Sequence, residues 1–227
     1  LNILIILGIT STIVSVAIQK STLVIEIPFM IGITGVLVFM GNDGMISRVE
    51  GIILWVLFIA YLVYLFILTK NGKEEEATEQ KSIGKLLLLT AVGIVVIVVG
   101  SNFTVDSATA IARAFQISER FIGLTIVALG TSLPELVTSV TAARKGNADI
   151  AIGNIVGSNL FNILFILGTT ALITPIPYEA GFITDGIIAI ATGVVLWLSV
   201  FRKKELRRPA GIIMLVLYAA YFVYLMQ

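Results

Sequence analysis

The 227 residues include no cysteine and no histidine. Without thiols there are no disulfides, no thiolate nucleophile and no cysteine-based metal site. Without imidazole, the usual general base and the commonest zinc and haem ligand are missing as well. Charge is also scarce: 13% of residues are Asp, Glu, Lys or Arg, with a formal net charge of +1. The few basic residues are dispersed, so nothing suggests a nucleic-acid surface. Any chemistry here must use oxygen ligands: carboxylates, hydroxyls, amides and backbone carbonyls.

The rest is largely apolar. At 58% hydrophobic residues the chain is too apolar for a soluble domain and reads as an all-α polytopic membrane protein. Apolar runs of spanning length fall at about 1–18, 22–40, 49–68, 84–105, 121–143, 149–173, 179–201 and 209–226, giving eight expected helices with the first incomplete. The one long polar stretch, Lys70 to Lys81, reads as a solvated linker over 69–83.

The sequence also repeats itself. Leu1 to Gly8 matches Phe161 to Gly168 at six of eight positions, and Gly51 to Leu65 matches Gly211 to Leu225 at ten of fifteen. Both matches share an offset of 160, since 161 − 1 and 211 − 51 are equal. Five spans separate each match from its mate, and an odd number puts the copies in opposite orientations: an inverted repeat. Residues 1–68 then read as the C-terminal part of a first repeat and 84–227 as a complete second one. The expectation follows that the N-terminal part of the first repeat is missing from this sequence.

Orientation follows from Lys and Arg. With the 69–83 loop cytoplasmic, Lys20, Lys70, Lys73, Lys81, Lys85, Arg144, Lys145, Arg202, Lys203, Lys204, Arg207 and Arg208 fall inside, and only Arg48, Arg113 and Arg120 outside. The expected location is the cell (inner) membrane.

The segment Gly130-Thr-Ser-Leu-Pro-Glu135 lies within the fifth apolar run. A carboxylate near the centre of a span costs about 2.5–3.5 kcal/mol, so Glu135 needs a partner or a purpose. Pro134 lacks an N–H, which should break the helix and free carbonyls such as that of Ala128. Those carbonyls, the hydroxyls of Thr131 and Ser132 and the Glu135 carboxylate together suit Ca²⁺ or Na⁺. The alternative is a capping box, with Ser132 as the N-cap and Glu135 reaching back to it.

A second constellation lies in Gly153 to Ile163. On a helix Asn154, Ser158 and Asn162 form one polar stripe, while Gly153 and Gly157 form a small-residue seam suited to close packing. Asn2 occupies the place of Asn162 in the first repeat. Asn102 and Asp106 read as lying near a helix end, facing the interface or capping. Glu26, Asp43, Asp149, Glu179 and Asp185 read as solvated at helix ends, and Tyr61, Tyr64, Tyr221 and Tyr224 as interfacial belts.

Taken together, Gly130 to Glu135, Gly153 to Asn159 and Asn162 resemble the second alpha-repeat of the cation/calcium antiporter superfamily, in particular compact prokaryotic sodium/calcium exchangers. The resemblance implies ten helices in two inverted halves and ion sites between the alpha-repeats. It implies Ca²⁺ and Na⁺ as transported ions, with no resident cofactor and no enzymatic activity. By motif position Glu135 would be the shared carboxylate, with Thr131, Ser132 and the Ala128 carbonyl at the helix break, and Ser158, Asn162 and Asn2 as further ligands. Some members carry Asp where this chain has Asn162, which leaves one fewer ionisable group here. The implied function is Ca²⁺/Na⁺ exchange by alternating access, with the lipid bilayer and the missing N-terminal half as partners. Coupling to H⁺, or an inactive fragment of such a transporter, is the alternative. A hydrolase would have only Ser132 and Glu135 to work with, and a channel would not need an inverted repeat.

Overall fold

The structure, a computed structural model, describes residues 2–71, 83–117, 122, 126 and 128–225. Most of the 69–83 linker and much of the start of the fifth span lie outside the described residues.

Apolar composition and 3.6-residue spacing produce helices throughout. Helix α1 (Asn2–Ile13) is π-helical over Asn2–Leu7 and α-helical from Gly8. Strand β1 (Val16–Ala17) leads to α2 (Thr22–Asp43), which opens with a π-helical turn and closes as a 3₁₀ turn. Strand β2 (Met45–Ile46) then leads to α3 (Arg48–Asn71). Next come α4 (Ile83–Ala114), the short α5 (Ala128–Thr131) and α6 (Leu133–Arg144). Helix α7 joins Ala148–Phe161 to a π-helical segment Asn162–Leu167 and then to Gly168–Ile173. Strand β3 (Ile176–Pro177), α8 (Ala180–Phe201), β4 (Glu205–Leu206) and α9 (Arg208–Leu225) complete the order. Among the described residues five helices are long and apolar enough to cross a membrane, and α1 and α9 are shorter apolar helices.

The repeat read from sequence is also a repeat of structure. The π segments Asn2–Leu7 and Asn162–Leu167, strands β1 and β3, strands β2 and β4, and the starts of α3 and α9 all recur at the offset of 160. Pairing shows the inversion: β1 joins β4 through Val16 with Leu206, and β2 joins β3 through Met45 with Pro177. Helix α2 separates β1 from β2, so these ladders lie at opposite ends of the molecule. The equivalent strands β1 and β3 therefore sit at opposite faces.

The core has the same symmetry. Leu4 and Leu164, Leu54 and Met214, and Ile46 and Leu206 are equivalent pairs, and all six are buried. Helix α1 packs on α9, and the end of α7 on α3. Both crossings rest on facing glycines. A Cβ on Gly51 would meet the Gly168 carbonyl at 3.0 Å, and one on Gly8 would meet the Gly211 carbonyl at 3.2 Å. In a bilayer, where apolar area gives no preference for protein over lipid, such close backbone contacts supply the association.

Several expectations are corrected here. Helix α4 runs to Ala114, beyond the expected end near 105. Asn102 and Asp106 are therefore mid-helix and line a cavity of about 390 Å³ against Gly130 and Pro134 instead of capping an end. Glu26 is 7% exposed and accepts a 3.2 Å hydrogen bond from the Thr22 hydroxyl; α7 and α8 pack on the first turn of α2, and Tyr61 and Tyr64 of α3 face it across a hollow. Asp185 is half-buried and accepts a 2.7 Å bond from Tyr221. Tyr61 is buried and stacks on Phe29, so neither it nor Tyr221 is a simple interfacial residue.

Candidate ion-binding site

The sequence Leu-Gly-Thr-Ser-Leu-Pro cannot continue a helix, since Pro134 removes one donor and its ring displaces the preceding turn. The break lies between α5 and α6 at Ser132, whose backbone is at φ −94° and ψ 0°. Its N–H donates to the Leu129 carbonyl at 3.1 Å, one residue short of the α-helical partner Ala128. Gly130 faces Val105 of α4 so closely that a side chain there could not fit. The break is thus pressed against α4.

Ser132 makes no side-chain cap, which removes the capping-box alternative. Its hydroxyl instead donates to Asn2 Oδ1 at 3.0 Å. This bond joins the second repeat's break to the π-helical start of α1, across 130 residues of chain.

One turn further on, Glu135 enters a cavity of about 390 Å³ between α6 and α7, lined also by Pro134, Thr138, Asn154 and Ser158. The Ser158 hydroxyl donates to Glu135 Oε1 at 3.2 Å. The other carboxylate oxygen, Oε2, is buried and has no hydrogen-bond partner among the described residues. A buried, unpaired carboxylate oxygen is costly unless something positive meets it. Below it, Asn154 Nδ2 donates to the Ser139 hydroxyl at 3.3 Å and fixes α6 against α7.

Gly153 and Gly157 line the same cavity, and a Cβ on either would meet nothing within 4 Å. The expected packing seam is therefore open space beside the carboxylate. The structure thus brings together Glu135, Ser158, Ser132 and Asn2. Asn162 begins the π segment of α7 and is exposed outside this cavity. Ala128 begins α5, while the side chains of Ala128 and Thr131 lie outside the described residues. Sequence reasoning missed Thr138 and Ser139, which face α7, and the π-helical geometry at Asn2 and Asn162. Extra residues per turn of this kind are frequent at functional sites, and the signal available was the repeated Asn-Ile-Leu.

Inverted helical repeats around a broken helix with an intramembrane carboxylate define the secondary transporters. Known proteins narrow that class. The family model for the sodium/calcium exchanger protein matches residues 85–227. Inner membrane protein YrbG of Escherichia coli K12 is 33% identical over 94% of this chain and 70% of its own length. The sodium/calcium exchanger MaX1 of Methanosarcina acetivorans is 39% identical over 57% of this chain and 37% of its own. A solved structure of the sodium–calcium exchanger NCX_Mj, soaked with Na⁺ and Sr²⁺, superimposes with a TM-score of 0.82 at 32% identity, covering 98% of this chain and 72% of that one. The chain belongs to the sodium/calcium exchanger family and is a membrane transporter of that kind.

Proposed function

We propose that the protein exchanges Ca²⁺ for Na⁺ by alternating access, with Glu135 as the carboxylate both ions share. The observation that carries this reading is the buried Oε2 of Glu135, without a partner among the described residues, with Oε1 held by Ser158 in a cavity beside a broken helix. The ligands proposed are Glu135, Ser158, Ser132, Asn2, Thr131, Asn162 and the Ala128 carbonyl, all hard oxygen donors. NCX_Mj was solved in the presence of Na⁺ and Sr²⁺ or Ca²⁺, and its fold supports carrying this reading over.

The chemistry of exchange follows from charge. In this reading Ca²⁺ and Na⁺ compete for the same Glu135 oxygens, so binding of one displaces the other. In this reading residues 1–68 and 84–227 belong to the two inverted halves and 69–83 to a cytoplasmic loop, in the inner membrane. The test is ⁴⁵Ca²⁺ uptake into proteoliposomes of the full-length protein, with an outward Na⁺ gradient compared against an outward H⁺ gradient. Uptake driven by Na⁺ and lost in Glu135→Gln is expected. Uptake driven only by H⁺ would replace Na⁺ with a proton on the same carboxylate, and unchanged uptake in Glu135→Gln would remove Glu135 from the site.

A further inference from the structure

A second polar hollow, of about 130 Å³, lies where α1, α7, α8 and α9 meet, and Asp185, Asn159, Asn2, Thr192 and Tyr221 line it. Asp185 sits in the second turn of α8, where a carboxylate inside a membrane span calls for a counter-charge. Its one hydrogen bond among the described residues comes from the Tyr221 hydroxyl at 2.7 Å, and no basic side chain among them pairs with it. Asn159 is oriented by its own helix: Nδ2 donates to the Ile155 carbonyl at 2.9 Å, which leaves Oδ1 as a free acceptor. Thr192 adds a hydroxyl.

The set amounts to one negative charge and several neutral oxygens in a space larger than a single water needs. Ca²⁺ takes six to eight oxygens, commonly from more than one carboxylate. A single charge balances a monovalent ion instead. We propose that this hollow is a second cation site for a monovalent ion, Na⁺ or K⁺, held by the Asp185 carboxylate with the oxygens of Asn159, Thr192 and Tyr221.

The repeat supplies an internal control. The equivalents of Asp185, Ala189 and Tyr221 at the offset of 160 are Ile25, Phe29 and Tyr61, which line a hollow of about 240 Å³ in the other half. That hollow also has a carboxylate, Glu26, but it sits one position along from the equivalent of Asp185 and is already held by the Thr22 hydroxyl at 3.2 Å. The rest of the wall is aliphatic and aromatic, with Phe29 stacked on Tyr61 at 5.7 Å. The Asp185 carboxylate and the Thr192 hydroxyl have no counterparts at the equivalent positions, Ile25 and Gly32, so they are not imposed by the repeated fold. The hollow is also linked to the helix break through Asn2, which lines it and whose Oδ1 accepts the Ser132 bond at 3.0 Å. An ion at Asp185 would bear directly on the residue that holds the helix break.

The experiment is thermal unfolding of the full-length protein in detergent, followed by the fluorescence of Trp55 and Trp197. Wild type, Glu135→Gln and Glu135→Gln with Asp185→Asn are titrated with NaCl, KCl or choline chloride. In Glu135→Gln the melting temperature should still rise by about 2–4 °C with Na⁺ or K⁺, saturably and beyond the choline response. Adding Asp185→Asn should abolish the rise, and Thr192→Val should weaken it should the Asp185 variant fail to fold. A rise that survives both substitutions places the ion elsewhere and overturns the proposal. So does a flat response in Glu135→Gln alone, which would leave the Glu135 reading intact.

Discussion

At the scale of single residues, the site depends on the direction of two hydroxyls. Ser158 donates to Glu135 and Ser132 to Asn2. Removing a hydrogen bond to a charged group costs about 1.5–3 kcal/mol. Ser158→Ala should therefore weaken apparent Ca²⁺ affinity roughly ten- to hundredfold, measured as the half-saturating Ca²⁺ concentration for uptake, with folding unchanged. The carboxylate itself was legible in the sequence, because a Glu inside a long apolar run is costly until a cation or a donor meets it. The direction of Ser132 was not, since a Ser three residues before a Glu specifies a cap in any local reading, and only the approach of α1 offers the hydroxyl a different partner. The burial of Glu26 was hidden for a related reason: the residue lies one turn into its helix, and that turn is packed by α7 and α8, which arrive much later in the chain.

At the scale of elements, spans were legible and their details were not. A run of Val, Ile and Leu announces a helix, but Asn102 and Asp106 resemble a helix end when read alone. The following Ala-Thr-Ala-Ile-Ala-Arg-Ala continues α4 because these residues include strong helix formers. The ladders β1–β4 and β2–β3 have two residues per strand, too short for any alternation to show. The π-helical segments leave no pattern that distinguishes them from ordinary helix. The break before α6 was legible, because proline acts locally. Pro134→Ala restores an N–H and should allow α5 to run on into α6; transport should fall at least roughly tenfold while thermal stability is kept or raised, which parallel flux and melting measurements would reveal. At the α3–α7 crossing the expectation is the reverse. Gly51→Val drives a side chain into the Gly168 carbonyl and the Ala171 methyl and should lower stability by about 1–3 kcal/mol, read as a lower melting temperature in detergent.

At the scale of the whole molecule, the absence of cysteine is useful. A single cysteine introduced at a chosen position is the only thiol in the sequence. Asn42 and Lys203 are both exposed and lie at opposite ends of the fold. With the basic ends facing the cytoplasm, a membrane-impermeant maleimide added outside intact cells should label Asn42→Cys and spare Lys203→Cys. The converse labelling would invert the orientation drawn from the charge distribution. The apolar rows of α4, among them Leu87, Val96 and Val99, are exposed along much of the helix, consistent with a helix at the periphery in contact with lipid.

The two short ladders have a mechanical meaning. Each joins one half of the chain to the other, one at each membrane surface, and the paired glycines tie α1 to α9 and α3 to α7 between them. Fastened at the top, bottom and middle, these helices form a rigid frame that resists being split along its seam. Helix α4 lies outside that fastening, and its packing is chiefly against α5 and α6, the walls of the helix break. In the exchange proposed above, α4 would be the element free to travel while the frame stays closed, so access to the carboxylate would be governed by a sliding panel, and the distance it travels would set which side of the membrane the ion sees.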